Sequence, residues 1–206
     1  MNSIDIYCER VGVGLTAEPI NALTNGAFLV AALLLSQRMK DPTIEVRLLI
    51  RLLFLIGLGS FLFHTFATGW ARYLDVAPIL LFQMLFVWSY TTKFFGWSTR
   101  VACIGVSIFL GVVLFARSFP MILNGSLPYV PSWLVLICFS FYHFLNKLPK
   151  RFFLIIASVM FTFSLLLRTL DASLCDQFPF GTHFIWHLAN ALVLYLSVSV
   201  LNPIRR

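Results

Sequence analysis

Long apolar segments, separated by short polar or turn-rich stretches, set the pattern of this chain. Seven can be read from the sequence, at about residues 20–37, 48–67, 74–92, 101–117, 129–145, 152–169 and 182–201. They are continuously apolar rather than alternating, which favours helices over the strands of a barrel. Most are slightly shorter than the roughly 20 residues that cross a bilayer. The pattern predicts an all-α membrane protein, a compact bundle of seven transmembrane helices.

The composition supports this prediction. Hydrophobic residues make up 60% of the 206 residues and charged residues only 11%, whereas soluble domains carry roughly 25% charged residues. No connector is long enough to divide domains, so residues 1–206 are predicted to form a single domain. The first fifteen residues contain no basic segment followed by an apolar run, so we expect no cleaved signal peptide.

The net charge of +7 is explained by unevenly distributed loop charges, so no nucleic-acid partner is expected. In a seven-helix arrangement the larger group of basic residues falls on one side: Arg38, Lys40, Arg47, Arg51, Lys93, Arg100, Lys147, Lys150, Arg151, Arg205 and Arg206. The smaller group falls on the other side: Arg10, Arg72, Arg117 and Arg168. Because basic loops are enriched in the cytoplasm, the C-terminus is predicted to be cytoplasmic and the N-terminus outside.

Four polar residues stand in or beside these apolar segments: His64, Asp75, His183 and His187. Such residues are costly in hydrocarbon, so they usually face a bundle interior or a cavity and carry function. The second helix runs outward and reaches His64 roughly 25 Å from Arg47, at about 1.5 Å per residue. The third and seventh helices begin on the same outer side. The topology therefore predicts that all four residues lie at one depth in the outer leaflet.

The chemistry of these residues indicates a zinc site. His183 and His187 are four residues apart and share a helix face, and His64 can supply the third ligand of a site that keeps a position for water. Zinc lowers the pKa of such a water to about 7, and Asp75 suits the role of a base better than that of a fourth ligand. Ser60, on the same face as His64, can donate a hydrogen bond to the water or an oxyanion, although a small residue also suits close helix packing.

Other residues of the apolar segments have simpler interpretations. His143 is predicted to be a packed, hydrogen-bonded core residue. Cys103 and Cys138 are predicted to be small residues of the core. Arg168 and Asp171, three residues apart at the end of the sixth segment, are predicted to form an ion pair.

These residues, in this order, resemble the alkaline ceramidase family, within a wider group of seven-helix membrane hydrolases that includes the progestin and adiponectin receptors. The matching segments span nearly the whole chain: Tyr7-Cys8-Glu9-Arg10, Ala17-Glu18-Pro19-Ile20-Asn21 through Asn25, Gly57 through His64, Leu74-Asp75 and Gly181 through His187. The compact bacterial-type branch is the better match, which implies a multi-pass protein of the bacterial inner membrane. The family also has a cysteine pair comparable to Cys8 and Cys175, which implies a disulfide between them in an oxidising compartment.

The resemblance implies an activity and a division of roles. Zinc would be held by His64, His183 and His187, with Asp75 activating the water and Ser60 assisting. The reaction would be hydrolysis of the amide of ceramide or a similar N-acyl lipid, giving a fatty acid and a long-chain base. The partner implied is this membrane lipid, and no obligate protein partner is implied.

A second metal is also expected from the resemblance. Some eukaryotic members bind calcium near the N-terminus, and Glu9 and Glu18 match acidic positions there. Arg10 and Val11 depart from the family pattern, which has an acidic residue and an asparagine at these positions. The alternative is that Glu9 pairs with Arg10 or caps a helix.

Two other functions stay open at this point. The chain could be a non-catalytic lipid receptor or scaffold with a structural zinc, which would have little need of a base such as Asp75. It could also be a serine intramembrane protease with Ser60 as its nucleophile, which would not require three histidines at one depth. Chelators would leave the protease active, and the receptor would bind lipid without turnover.

Overall fold

A computed structural model describes residues 4–12 and 14–202 of the chain. All regular secondary structure within these residues is helical, and no β-strand occurs among them. The predicted all-α fold is therefore confirmed. Arg205 and Arg206, which contribute to the predicted orientation, lie outside the described residues, and the orientation stays a prediction.

Within the described residues, seven helical spans are long and apolar enough to cross a membrane, so the chain is an integral multi-pass membrane protein. α1 and α2 together form the first span, and each later span contains one long α-helix. The α-helices are α1 (Pro19–Thr24), α2 (Gly26–Arg38), α3 (Ile44–Phe66), α4 (Gly69–Phe94), α5 (Thr99–Arg117), α6 (Val130–Leu145), α7 (Arg151–Leu170) and α8 (His183–Leu201). Short 3-10 helices precede α6 (Ile122–Gly125 and Leu127–Tyr129) and follow α7 (Asp171–Ser173).

Two helices begin earlier than the apolar pattern predicts. α3 begins at Ile44 rather than near residue 48, because the Thr43 side chain accepts a hydrogen bond from the backbone of the first turn and caps the helix. α4 begins at Gly69 rather than near residue 74. Its first turn is partly polar, so a prediction from apolar residues alone does not include it. Asp75 consequently lies in the second turn of α4 instead of opening it.

The two backbones of α3 and α4 approach each other closely near the end of the bundle at which α4 and α8 begin, which we term the histidine end. A Cβ on Gly59 would lie 2.1 Å from the carbonyl oxygen of Leu74 and 3.1 Å from the amide nitrogen of Asp75. Only a residue without a side chain permits this contact. Since Ser60 follows Gly59 directly, the same contact brings Ser60 and Asp75 together.

α8 is the most enclosed span, with 67% of its apolar window buried. It contacts α2, α3, α4 and α7, so it lies at the centre of the bundle. Because His183 and His187 stand on its first turns, both histidines are inside the protein rather than facing lipid.

The predictions for the remaining histidine and the free cysteines have different outcomes. His143 is fully buried, with Nδ1 3.1 Å from the Tyr90 hydroxyl and Nε2 2.8 Å from the carbonyl oxygen of Pro149, so its assignment to the core is confirmed. Cys103 and Cys138 are exposed on the bundle surface, so their assignment to the core is wrong. In a membrane-spanning helix the apolar residues cover the lipid-facing surface as well as the core, so apolarity alone does not separate the two.

A disulfide between Cys8 and Cys175 ties the N-terminal segment to the connector between α7 and α8. This confirms the pairing that the resemblance implies. The bridge joins residues 167 positions apart in the chain and fixes the N-terminal segment at the histidine end.

Replacing Gly59 with alanine tests the close contact between α3 and α4. The new methyl group would collide with backbone atoms, which cannot move out of the way without separating the helices, and overpacking of this kind costs about 1–3 kcal/mol. We expect Gly59→Ala to lower the melting temperature of the purified protein in detergent. Gly111→Ala is the matched control, because a Cβ at Gly111 meets no atom within 4 Å. An unchanged melting temperature for Gly59→Ala would contradict the assigned packing.

Candidate metal centre

Three histidines from two helices meet at the histidine end of the bundle. Their nearest ring nitrogens all lie within 4.8 Å of one another. His64, His183 and His187 are each no more than 2% exposed. The structure thus brings together the three residues that the sequence indicates as ligands, in an arrangement that can hold a metal ion.

His64 is oriented by a carboxylate from the N-terminal segment. Its Nδ1 lies 2.5 Å from an oxygen of Glu18, whose other oxygen pairs with Arg10. Burial favours the neutral acid, but the contacts with His64 and Arg10 outweigh it and lower the pKa of Glu18 below its usual value. An ionised Glu18 only accepts hydrogen bonds, so Nδ1 of His64 carries the proton and Nε2 keeps its lone pair. This carboxylate–histidine pairing is typical of histidines that ligate metals.

His187 is oriented in the same way by a hydroxyl group. The Thr24 hydroxyl donates to the carbonyl oxygen of Ile20 at 2.8 Å, so its oxygen accepts from Nδ1 of His187 at 2.9 Å. The lone pair of His187 is therefore on Nε2. Glu18 and Thr24 thus each bind Nδ1 of one histidine and leave its Nε2 available to a metal.

Two buried imidazole nitrogens have no hydrogen-bond partner among the described residues: Nε2 of His64 and Nδ1 of His183. A buried polar atom without a partner costs roughly 1–3 kcal/mol, so such atoms call for an explanation. A metal ion at the cluster supplies this explanation, because it would bind the lone pairs of such imidazole nitrogens. The residues present therefore fit a metal.

Tyr7 covers His183 from the N-terminal segment. The two rings are stacked with their centroids 3.7 Å apart. Burial raises the pKa of the Tyr7 phenol, so its hydroxyl stays protonated. Tyr7 thus shields the cluster on one side with a neutral aromatic ring.

The start of α8 is fixed by Asp171. One oxygen of its carboxylate accepts from the backbone N–H groups of Thr182 and His183 at 2.6 and 3.0 Å, and the other accepts from that of Cys8 at 3.1 Å. The predicted ion pair between Arg168 and Asp171 is therefore wrong. Backbone donors at the beginning of α8 satisfy the carboxylate, and the change from α7 to a 3-10 helix at residue 171 removes the helical spacing on which the prediction relied.

Ser60 and Asp75 lie next to the histidines. Ser60 is 4% exposed. The partly buried carboxyl of Asp75 lies beside the Ser60 hydroxyl and close to His64. Asp75 is not part of the metal-binding group found among the described residues, so its place is beside the ligands rather than among them.

The two glutamates expected to bind calcium have separate partners. Glu9 accepts hydrogen bonds from the backbone N–H groups of Ile20 and Asn21 at 2.6 and 2.8 Å, so it caps α1, as the alternative interpretation holds. Glu18 is engaged by Arg10 and His64. Calcium at this pair stays a prediction from the resemblance, and the contacts give each carboxylate another role.

A mostly apolar cavity lies inside the bundle, close to the histidine cluster. Phe28 and Trp186 are among the residues that line it. The Phe28 ring lies 6.4 Å from that of His187, and Trp186 stands in α8 between the two histidines of that helix. Gln83 and Asn190 contribute polar groups to an otherwise apolar wall.

The orienting residues were not indicated by the sequence pattern. Tyr7, Glu18 and Thr24 reach the histidines from the N-terminal segment and the first span, far from them along the chain. No spacing rule connects such positions. The cysteine pairing was the one available indication, because it places the N-terminal segment at the end of the bundle where α8 begins.

Comparison with known protein families identifies a match. The family model described as Ceramidase matches residues 3–206, which is nearly the whole chain. No match was found among curated proteins.

Removal of each ligand tests the metal centre. We expect His64→Ala, His183→Ala and His187→Ala to reduce the bound metal from about one ion per chain to a trace, since a site with three protein ligands does not tolerate the loss of one. Elemental analysis of the purified variants measures this. His143→Ala is the control and should keep the metal. Full metal content in any two of the three ligand variants would rule out the assigned cluster.

Glu18→Gln tests the orienting role of the carboxylate. The amide is neutral and no longer holds the imidazole by a charged hydrogen bond, so we expect a roughly 10–100-fold loss of metal affinity. Competition with a chelating dye measures the affinity. Glu45→Gln, near the opposite end of α3, should leave it unchanged. Equal affinities for Glu18→Gln and the wild type would exclude a positioning role for Glu18.

Proposed function

This chain belongs to the ceramidase family, and we propose that it is a zinc-dependent intramembrane amidase. It is a hydrolase that acts on amide bonds, and on this proposal it cleaves the N-acyl amide of ceramide or a similar lipid into a fatty acid and a long-chain base. The observation that supports the proposal best is the buried histidine cluster with unpartnered nitrogens, beside a carboxyl group.

Zinc is the ion that the ligand set favours. Imidazole nitrogens suit zinc, whereas calcium and magnesium prefer oxygen ligands. His64, His183 and His187 would hold it, and three protein ligands keep a position for water. When bound, zinc supplies a Lewis acid and lowers the pKa of its water to about 7.

The other residues handle protons and position. Asp75 accepts the proton of the attacking water and then delivers it to the leaving amine, which is the role of a general base and acid. Ser60 donates its hydroxyl hydrogen to the amide oxygen, where negative charge develops in the transition state. Glu18 and Thr24 keep the imidazoles in the tautomer that presents Nε2 to the metal.

The surroundings suit a lipid substrate. The apolar cavity lies close to the cluster, with the ring of its lining residue Phe28 6.4 Å from that of His187, so an acyl chain can lie in it while the amide stays at the histidines. We propose that the histidine end is on the outer side of the bacterial inner membrane, where the amide of a lipid lies near the interface. The asymmetry of basic residues in the connectors supports this orientation.

Replacement of Asp75 by asparagine separates the amidase from a receptor with a structural metal. We expect Asp75→Asn to keep its zinc but to release fatty acid from N-palmitoylsphingosine roughly 10²–10⁴-fold more slowly, because the amide cannot take up a proton. Activity is measured on zinc-loaded protein in detergent micelles, with zinc content determined in parallel.

Asp41→Asn, an exposed position in the connector between α2 and α3, is the matched control and should have wild-type activity. Activity of Asp75→Asn within twofold of the wild type would remove the proposed base. A zinc-loaded wild type that is inactive on a broad panel of N-acyl lipids would remove the amidase itself.

A further inference from the structure

Arg168 is a cation inside the bundle that forms no ion pair with the described residues. It lies in the span of α7 and is 9% exposed. Among the described residues no carboxylate lies within 4.0 Å of its guanidinium, since the ion pairs there are Arg10–Glu18 and His64–Glu18. A charge in a membrane-spanning bundle is costly unless it is paired, and such residues usually mark a pathway or a binding site.

Part of the guanidinium is engaged by the described residues. Its Nη1 donates to the Ser126 hydroxyl at 2.7 Å and to the carbonyl oxygen of Asn124 at 3.3 Å. Its Nε is buried and has no partner among the described residues. Nε and Nη2 form one edge of the planar fork, with parallel N–H donors that match the two oxygens of a carboxylate. The protein therefore anchors Arg168 through Nη1, while Nε has no partner among the described residues.

This cation lies beside two aromatic residues of the cavity wall, near the histidine cluster. Its central carbon lies 5.1 Å from the ring of Tyr129 and 5.6 Å from that of Trp186, and both rings line the cavity. The hydroxyl of Tyr7, whose ring stacks on His183, lies beside the guanidinium. A ligand in the cavity with its polar end at the histidines would thus have that end close to Arg168.

We propose that the Nε edge of Arg168 is a carboxylate-binding subsite of this centre. Two sources of the carboxylate fit the chemistry, and both rest on the proposed amidase function. One is the fatty acid that hydrolysis releases, whose carboxylate forms at the histidines with its chain already in the cavity. The other is the head group of an N-acyl amino acid, a substrate with an amide and a carboxylate only a few bonds apart.

Equilibrium binding tests the subsite without any turnover. Palmitate and the neutral palmitamide are titrated calorimetrically into the zinc-loaded full chain in a non-ionic detergent. We expect Arg168→Gln to weaken palmitate binding about tenfold or more, because a charge-assisted bidentate pair is lost, and to leave palmitamide binding unchanged. Arg117→Gln, an exposed arginine at the end of α5, is the matched control and should bind both ligands as the wild type does.

Arg168→Lys keeps the proposal testable if Arg168→Gln does not fold. Lysine retains the charge but presents a single point donor instead of a fork, so we expect a several-fold loss of palmitate affinity. Zinc content and melting temperature identify the variants that are folded. Wild-type palmitate affinity in the folded variants at position 168, or a wild type that binds palmitate no better than palmitamide, would overturn the subsite.

Kinetics then distinguish the two sources of the carboxylate. If the head group is the ligand, Arg168→Gln lowers kcat/KM about tenfold for N-palmitoylglycine and leaves that for N-palmitoylethanolamine unchanged. If the product is the ligand, the variant keeps the ratio of the two substrates and shows weaker inhibition by added palmitate with both. A wild type that is inactive on ceramide and on a broad panel of N-acyl lipids, these two included, but shows Arg168-dependent palmitate binding would refute the amidase and keep the subsite.

Discussion

The hydrogen bond between the Glu18 carboxylate and Nδ1 of His64 joins the segment before the first span to the end of α3. Arg10 stabilises both partners of this hydrogen bond, because its guanidinium pairs with Glu18 and also donates to the carbonyl oxygen of His64 at 3.0 Å. An ionised carboxylate buried this deeply needs such partners. The N-terminal segment is consequently held over the cluster, and the tautomer of His64 depends on it.

The beginning of α8 is fixed by equally local interactions. Asp171 caps α8 at Thr182 and His183 and also binds the backbone of Cys8. Gly181, with a φ of 64°, is close to Asp171 and Cys8, and any Cβ there would overlap both. The disulfide, the cap and this turn therefore hold one rigid junction next to His183.

The helical architecture and the meeting of the histidines were predictable, because both depend on periodicities that the sequence displays directly. A continuous apolar run marks a span, and alternation of spans sends His64 to the same end of the bundle as His183 and His187. The surroundings of the ligands were not predictable. The partner of His64 comes from a different part of the chain, and Asp171 satisfies backbone groups rather than the nearest opposite charge. Local spacing contains no information on either contact.

Two charged residues at the histidine end, Glu18 and Arg168, differ in how many of their polar atoms have hydrogen-bond partners. This difference indicates their roles. Glu18 has partners for both of its oxygens, so it serves the protein by fixing other groups. Nε of Arg168 has no partner within the described part of the chain, although an apolar side chain would fill the same volume at lower cost. Natural proteins tend to break local rules of this kind where a ligand completes the site. On our proposal, the Arg168 cation beside Tyr129 and Trp186 is half of an interaction whose other half arrives with the lipid.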